Sequence, residues 1–388
     1  MTDPRLEEIR RDRLTDNLWT LVGVPSPTTR ERDVAFAYAE LLDRSGADVT
    51  VDETLHDSPN VIGRLRGRLG SGPVLQLAGH LDHIDVPHDE PQRTEEIISG
   101  RGSADMKNGL AGALEVVRVL DETGRDFAGE LLVTAYGLHE APLGDAKGLM
   151  NLIDAGVTGD AAIVCEGPAD KALVMGKGQS IWNLRLTRTG RVCHELRRDP
   201  QDDALLESAG RLLNRLLQYR DELASAPHEY PLLGPQSLFV GQVHYGDFYN
   251  RVPATAFLQG TRRWHPDRTF EDAQAELAAI VDTVPLPDNV SVDQWWTFVG
   301  DSYAFDPAAP IVTSLQDAFR AVTGEAMEIG GSSTVFDANR LVPFGGIPAV
   351  PIGFGTDAAH ADYEFVRLSQ VEQACRIALE AAVRYFGP

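Results

Sequence analysis

Four short apolar segments constrain the fold of this chain more than any other feature of its sequence. They are Val61–Leu65, Pro73–Ala78, Leu131–Tyr136 and Ala161–Cys165. Helical patterns run from about Pro4 to Leu21, from about Arg30 to Ser45, and from Leu110 to Leu120. Strands that are apolar throughout and alternate with helices are typical of a buried parallel sheet with helices on its faces. The sequence therefore predicts an α/β fold with a mostly parallel sheet flanked by helices.

A different order of elements begins near residue 178. A strand from Gln179 is followed by a helix, the strands LFVGQVHY and TAFLQGTRRW, a second helix and the strand SVDQWWTF. This β-α-β-β-α-β order is the split-βαβ, ferredoxin-like arrangement, which folds as a module. The alternating pattern then returns. We therefore predict a main domain in two parts, residues 1–177 and 300–388, with an α+β domain inserted at residues 178–299.

The charge of the chain excludes some classes of partner. Lys and Arg together number 35 and Asp and Glu together 58, so the formal net charge is −23. This balance argues against a nucleic-acid or anionic-membrane partner. The apolar runs are shorter than the ~18 residues that span a bilayer, the charged N-terminus lacks a signal-peptide core, and Cys165, Cys193 and Cys375 imply no disulfide framework. We expect a soluble, cytoplasmic protein.

The first motif with chemical content is GHLD at residues 79–82, directly after an apolar strand. Residues i and i+2 of an extended backbone point to one side, so His80 and Asp82 share a face. In open α/β sheets the carboxyl end of a strand is where ligands bind. An imidazole beside a carboxylate suits a metal ligand with a fixed ring orientation, although a polar surface turn fits the pattern equally well.

The second motif is GRGSADMKNG at residues 100–109, which opens the helix at Leu110. Asp105 lies where a helix N-cap would be, and capping is one interpretation of it. The other is an acidic ligand held beside His80.

Three more acidic or imidazole groups follow later strands. Glu140 follows LLVTAYG, Glu166 follows AAIVC, and His360 follows AVPIGFGTDAA. Each is weak evidence by itself, but with His80 and Asp105 they would converge on one edge of a parallel sheet. Imidazole and carboxylate ligands without a cysteine cluster suit catalytic zinc, cobalt or manganese.

These two motifs, about 20 residues apart, resemble the di-zinc metallopeptidase and amidohydrolase family. That family includes aminoacylases, acetylornithine deacetylase, succinyl-diaminopimelate desuccinylase and glutamate carboxypeptidases. The resemblance extends from LVGVPSPTTRE at residues 21–31 to HADYEFVRL at residues 360–368. It implies that Asp82 orients His80 and that the Asp105–Met106 peptide bond is cis.

The resemblance also implies two zinc ions per chain, with cobalt or manganese as alternatives. His80 and Glu166 would hold one ion, Glu140 and His360 the other, and Asp105 would bridge both. The two ions would activate a water molecule and polarise the scissile carbonyl.

The inserted domain resembles the lid and dimerisation domain of the same family, which implies a homodimer. His194 matches the histidine that reaches a partner's active site and polarises the carbonyl, although Glu195 replaces the usual small residue after it. Asn250 and Arg263 match the residues that bind the substrate carboxylate. Without the resemblance, His194 would be interpreted as an ordinary strand residue and Arg263 as a solvated charge.

Two further positions depart from the family pattern. Gly330 and Gly331 match its substrate-loop glycines, but the following residues are Ser-Ser rather than Thr-Asp. Most relatives have two adjacent acids, a general base and then a metal ligand, where this chain has His139 and Glu140. In one register His139 takes the place of the base and Glu140 is the ligand. In the other, Glu140 is the base and His139 is a ligand.

The resemblance implies a metal-dependent hydrolase that cleaves the amide bond of an N-acyl amino acid with a free carboxylate. A di- or tripeptidase or a carboxypeptidase would need the same site, and the sequence does not separate these activities. A catalytically silent member that binds a ligand in the same cleft is the third possibility. All five predicted ligand positions are present, which favours an enzyme.

Overall fold

The protein is described by a computed structural model that covers residues 2–140, 143–355 and 358–387. The chain forms two compact units. The main unit comprises Met1–Val174, Ala304–Gly331 and Phe336–Pro388, and the insert unit comprises Met175–Tyr303 and Ser332–Val335.

The helices of the described residues alternate with strands along the chain. In chain order they are α1 (Arg11–Val22), α2 (Arg32–Arg44), α3 (Lys107–Glu122), α4 (Lys147–Asp154), α5 (Ala204–Ser225), α6 (Phe270–Asp282), α7 (Pro310–Thr323), α8 (Ala338–Leu341) and α9 (Leu368–Phe386). Short 3₁₀ turns lie at Pro4–Glu8, Glu195–Arg197 and Pro200–Asp203.

The strands of the same residues begin with β1 (Asp48–Asp52), β2 (Asn60–Arg66), β3 (Val74–His80), β4 (Gln92–Arg93), β5 (Ile97–Ser99), β6 (Glu130–Tyr136), β7 (Ala161–Val164) and β8 (Lys171–Gly176). They continue with β9 (Gly178–Arg188), β10 (Ser237–Tyr245), β11 (Thr255–Trp264), β12 (Val290–Gly300), β13 (Tyr303–Ala304), β14 (Glu328–Ser332), β15 (Ala349–Pro351) and β16 (Phe365–Arg367).

The main unit is built around a sheet with the strand order β1-β2-β6-β3-β7-β15. The β6–β3, β3–β7 and β7–β15 pairs are parallel, whereas β1 and β2 add antiparallel pairs at one side. Every residue of β6 is buried, as expected for a strand that is covered on both faces. The predicted α/β fold with a mostly parallel sheet is confirmed.

The register of this sheet determines where the following loops lie. His80 pairs with Tyr136, and Ala78 and Pro351 both pair with Val164. The carboxyl ends of β3, β6, β7 and β15 therefore meet at one edge of the sheet. The loops that leave these strands carry the predicted ligands.

The opening helix and one edge strand of the main sheet differ from the sequence predictions. The opening helix is not continuous, because Ile9 and Arg10 are extended between the 3₁₀ turn and α1. The main-chain N–H of Arg10 instead donates to the buried carboxylate of Glu115 at 2.7 Å. Strand β1 was not predicted, since its sequence DVTVD is largely polar and its residues are partly exposed.

The insert unit contains an antiparallel sheet in the order β10-β11-β9-β12. Its core packs α5 and α6 against one face, with Trp182, Leu212 and Leu258 among the buried residues. The predicted β-α-β-β-α-β order is observed as β9-α5-β10-β11-α6-β12. Across the described part of both units, none of the helices is both long enough and apolar enough to cross a membrane.

Candidate metal centre

Three of the five predicted metal ligands come from the ends of parallel strands. His80 is the last residue of β3 and is fully buried. Glu140 lies in the loop after β6, and Glu166 lies two residues beyond the end of β7. Asp105 precedes α3, and His360 lies in the loop between β15 and β16. All five belong to the main unit.

The structure brings these side chains together in two groups that share Asp105. In the first group, His80 Nε2 lies 3.1 Å from Asp105 Oδ1, and Glu166 completes the set. In the second, His360 Nε2 lies 3.1 Å from Asp105 Oδ2 and 3.0 Å from Glu140 Oε1. Within each group the potential ligand atoms all lie within 4.8 Å of one another. Each oxygen of Asp105 thus faces a different group.

The alternative interpretation of Asp105 as a helix cap is wrong. Helix α3 begins at Lys107, its N-cap position is Met106, and no side-chain cap is found among the described residues. The carboxylate of Asp105 is instead directed at the two imidazoles. The Asp105–Met106 peptide bond is cis, as the resemblance implied.

Asp82 contacts His80 differently from the expectation. The ring nitrogen Nδ1 of His80 lies 3.0 Å from the main-chain oxygen of Asp82 and 3.7 Å from its carboxylate. That carboxylate accepts hydrogen bonds from the main-chain N–H groups of His139 and Glu140, at 3.1 and 2.9 Å, and from the Thr28 hydroxyl at 3.0 Å. Asp82 therefore orients His80 through its backbone and positions the His139–Glu140 turn through its side chain.

The orientation of His80 suits a metal ligand. A carbonyl oxygen can only accept, so Nδ1 carries the hydrogen and Nε2 is left to face Asp105. In the metal-free chain, burial opposes the charge on His80, but Asp105, Asp82 and Glu166 outweigh it and raise the pKa of the imidazole well above its usual value. A cation is therefore favoured at this position.

The carboxylates of the first group also lie where a nearby positive charge would stabilise them. Glu166 Oε1 is buried and finds no hydrogen-bond partner among residues 2–140, 143–355 and 358–387. Burial, followed by the nearby charge of Asp105, raises the pKa of Glu166 to about 8. Burial would also raise the pKa of Asp105, but its contacts with His360 and His80 lower it overall. A divalent cation would satisfy these buried charges, so the residues fit the implied metals.

His139 belongs to an arrangement that sequence reasoning did not find. Its ring stacks on His80, with centroids 4.0 Å apart and planes 1° apart, and its Nδ1 lies 3.0 Å from Asp337 Oδ1. The other oxygen of Asp337 accepts a hydrogen bond from the Tyr136 hydroxyl. Burial and His80 lower the pKa of His139, but Asp337 and Glu166 outweigh them and raise it to about 9.

Asp337 could have been noticed from one signal in the sequence. The Gly330-Gly331 pair lacks the acid that usually follows it closely, and Asp337 is the next acid along the chain. Gly330 and Gly331 themselves lie in β14 of the main unit, where a Cβ on Gly330 would come within 3.1 Å of Leu173. A packing role accounts for Gly330, and substrate binding by the two glycines stays a prediction.

The remaining predicted residues belong to the insert unit. His194 is exposed, its Nδ1 accepts the main-chain N–H of Leu196 at 3.2 Å, and its Nε2 lies 3.1 Å from Asn250 Nδ2. Asn250 also accepts the N–H of Glu195 through its main-chain oxygen. His194 is thus held in a turn rather than in a regular strand. The guanidinium of Arg263, at the end of β11, donates to the main-chain oxygen of Ser333, and burial lowers its pKa.

The chain has clear similarity to known proteins. Residues 77–384 match the pattern that defines peptidase family M20/M25/M40. Over 345 residues the chain is 26% identical to succinyl-diaminopimelate desuccinylase of Maricaulis maris, with 84% of this chain and 85% of that enzyme covered.

Solved structures show the same fold. A tripeptidase from Staphylococcus aureus superposes with a TM-score of 0.76 at 19% identity, covering 96% of this chain and 98% of that one. A dinuclear metal-binding M20 peptidase from Bacillus subtilis has a TM-score of 0.67 at 15% identity, covering 96% and 97%. The chain therefore belongs to peptidase family M20/M25/M40, whose members are metal-dependent hydrolases of amide and peptide bonds.

Proposed function

We propose that this protein uses two metal ions to hydrolyse the amide bond of an N-acyl amino acid. The observation that carries the proposal is the position of Asp105, whose two carboxylate oxygens face two adjacent groups of ligand atoms. A carboxylate in this position can bridge the two ions of a dinuclear hydrolytic site. Zinc is the metal we expect, with cobalt or manganese as alternatives, since the donors are imidazoles and carboxylates.

Two such ions, when bound, would polarise the substrate carbonyl and lower the pKa of an attacking water molecule. The residues of the chain determine the geometry around them. The backbone of Asp82 fixes the ring of His80, and its carboxylate fixes the turn that presents Glu140. His80 and Glu140 are thereby held before any ion binds, which reduces the cost of reorganisation.

His139 is the group that we propose accepts the proton from the attacking water. In the metal-free chain its pKa of about 9 keeps the imidazole protonated at neutral pH. Positive charge in the neighbouring groups disfavours the imidazolium, so metal binding favours the neutral ring. Asp337 Oδ1 lies 3.0 Å from Nδ1, so its charge favours the hydrogen of the neutral ring on Nδ1 and leaves Nε2 as the basic atom. The role of Glu140 as a ligand is supported by its contact with His360.

The insert unit supplies the proposed contacts to the substrate. The guanidinium of Arg263, with Asn250, would bind the free carboxylate of the amino acid, since a guanidinium pairs with a carboxylate through two parallel hydrogen bonds. His194 would donate a hydrogen bond to the scissile carbonyl in the active site of a partner subunit. This role requires a homodimer joined through the insert unit.

A di- or tripeptidase activity is the second candidate, and its support is the shared fold of the Staphylococcus aureus tripeptidase. The two activities differ only in the group on the far side of the scissile bond. A catalytically silent member is the third candidate, and the complete set of five ligands argues against it.

A hydrolysis screen tests the proposal. N-acetyl and N-succinyl amino acids and dipeptides are incubated with the purified protein and added zinc, cobalt or manganese, with Asp105→Ala as the matched inactive control. We expect metal-dependent release of free amino acid from N-acyl substrates by the wild-type protein only. Cleavage confined to peptides would favour the peptidase, and metal binding without turnover on any substrate would favour the silent member.

A further inference from the structure

Asp105 is held by a carboxylate that lies outside both groups of ligand atoms. Glu364 Oε1 accepts the main-chain N–H groups of Ala104 and Asp105, at 2.9 and 3.2 Å. Its other oxygen lies 3.0 Å from Nη1 of Arg101. Glu364 therefore fixes the backbone that determines where the Asp105 carboxylate points.

The same ion pair reaches the loop that carries His360. Arg101 Nη1 also donates to the main-chain oxygen of Ala361 at 3.0 Å, directly after His360. The N–H of Gly100 donates to the main-chain oxygen of Glu364 at 3.0 Å. The loop before α3 and the loop after β15 are thus connected by five hydrogen bonds, each of which involves Arg101 or Glu364.

His360 needs such support from its surroundings. Its φ of 60° lies in the left-handed region, which a histidine adopts only when neighbouring contacts hold it there. The bond from Arg101 to Ala361 restrains the adjacent peptide. Loss of this restraint would let His360 relax toward an ordinary backbone conformation and move its imidazole away from Asp105.

Because the ion pair between Arg101 and Glu364 is buried, it is expected to contribute little to the stability of the fold. The side chains of Arg101 and Glu364 are only 1% and 2% exposed. Desolvation of two charges cancels much of their attraction, and a buried ion pair can be replaced by apolar residues with little loss of stability. A role in geometry explains the pair better than a role in stability.

We propose that Arg101 and Glu364 are positioning residues that set the separation between Asp105 and His360 and so couple the binding of the two metal ions. This inference rests on the proposed two-metal function. Glu364 acts through Asp105 and affects both ions. Arg101 acts through Ala361 and affects chiefly the ion of the group that contains His360.

Metal titration of the full-length, metal-stripped protein tests this proposal without any substrate. Zn²⁺ or Mn²⁺ is titrated by calorimetry, and bound metal is counted by elemental analysis. We expect Glu364→Ala to weaken both binding steps by about 10- to 100-fold, the range typical when a group that orients a ligand is removed. We expect Arg101→Lys, whose shorter side chain draws the donor back from the main-chain oxygen of Ala361, to weaken one step much more than the other.

Two further variants separate positioning from folding. Glu364→Gln keeps an oxygen for the N–H groups of Ala104 and Asp105, so it should restore most of the affinity lost in Glu364→Ala. Glu115 is a buried glutamate of α3 paired with Arg13 at 2.7 Å, and Glu115→Ala should lower the melting temperature but leave both metal affinities unchanged.

The outcomes distinguish a failure of the proposed two-metal function from a failure of the positioning role of Arg101 and Glu364. If the wild-type protein binds fewer than two ions, the proposed function fails. If the wild-type protein binds two ions and the folded Glu364→Ala and Arg101→Lys variants bind both with wild-type affinity, the positioning role is overturned. Should Glu364→Ala not fold, Glu364→Gln and Arg101→Lys decide the question by the same titration.

Discussion

Asp337, which lies far from His139 in the sequence, does more than Glu166 to raise the pKa of that imidazole. Asp337→Asn removes the negative charge and keeps the size of the side chain. We expect this variant to lower the pKa of His139 from about 9 in the metal-free protein, because burial and His80 still disfavour the imidazolium. NMR titration of the imidazole nitrogens measures the change, and an unaltered pKa would show that Asp337 does not control the protonation of His139.

The free energy of unfolding of the metal-free protein provides a second measurement of the interaction between His139 and Asp337. The pKa of His139 rises from 6.5 to about 9 on folding, so the folded state holds the proton more tightly. This contribution is present in full below pH 6.5 and is lost as the pH rises through about 9. The free energy of unfolding should therefore fall across this interval, and it should fall less in Asp337→Asn.

The role of Glu140 can be decided by measuring metal content and turnover together. We expect Glu140→Gln to retain close to one metal equivalent per chain, because the group of His80, Asp105 and Glu166 is left intact. The measurement is elemental analysis of the metal-reconstituted variant. Full metal occupancy with turnover reduced by orders of magnitude would instead identify Glu140 as the general base.

At the residue scale, the sequence predicted positions better than it predicted contacts. His80, Glu140 and Glu166 were found because each follows an apolar strand, and parallel strands bring such residues to one edge. Asp337 was not found, because no local pattern relates it to His139. The hydrogen bonds of the Asp82 carboxylate to the His139–Glu140 turn were not predicted, since an i, i+2 rule places a side chain on a face but does not fix its hydrogen bonds.

Helix α3 must approach the end of β7 closely to place the first group of ligands. A Cβ on Gly109 would lie 2.1 Å from the main-chain oxygen of Cys165, directly before Glu166. We expect Gly109→Ala to lower the free energy of unfolding by about 1–3 kcal/mol through overpacking and to weaken metal binding at Glu166. Denaturant unfolding and metal titration measure the two effects.

Gly210 in α5 is the matched control for this prediction. It is exposed, and its Cβ would have no atom within 4 Å among the described residues. Gly210→Ala should stabilise the protein by roughly 0.5–1 kcal/mol, the usual gain in a helix interior. If both substitutions stabilise the protein, the close approach of α3 to β7 is not a constraint.

At the element scale, the buried strands of the main sheet were predicted from the sequence, whereas its exposed edge strand was not. Strands β3, β6 and β7 are apolar because helices cover the sheet, and an apolar sequence of this length predicts a buried strand. Strand β1 lies at the edge of the same sheet and carries a polar sequence that matches no buried strand. The break between the first 3₁₀ turn and α1 depends on a contact with Glu115, more than 100 residues away, which helical periodicity does not report.

At the scale of the whole molecule, metal binding is coupled to protons. Glu166, with a pKa of about 8, and His360, with a pKa of about 10, both hold a proton at pH 7 in the metal-free chain. Ligands must lose these protons to bind a metal, so we expect binding to release protons and to strengthen as the pH rises. Calorimetry in two buffers of different ionisation enthalpy measures the release, which should be smaller in His360→Asn. Binding without proton release would contradict the protonation states assigned to these groups.

The insert unit has an apolar surface around the residues that we propose act on a partner. Tyr249 is 88% exposed and Leu196 is 85% exposed, and they lie within two residues of Asn250 and His194 in sequence. Strand β10, at the edge of its sheet, also exposes Phe239. Exposed apolar residues beside an open sheet edge are typical of a surface that another chain covers. These features support the proposed homodimer.

A mixing experiment tests whether two subunits share each active site. His194→Ala would lack the group that polarises the carbonyl, and Asp105→Ala would lack the bridging ligand, so each homodimer should be inactive. In a hybrid dimer, the intact metal ligands of one subunit would meet the intact His194 of the other, because the two defects lie in different units. We therefore expect mixing to restore part of the activity, up to about a quarter of the wild-type level if subunits recombine at random and one of the two sites in each hybrid is complete. Sedimentation and an exchange assay with labelled subunits establish that hybrids form. If hybrids form and no activity returns, His194 does not act across the interface.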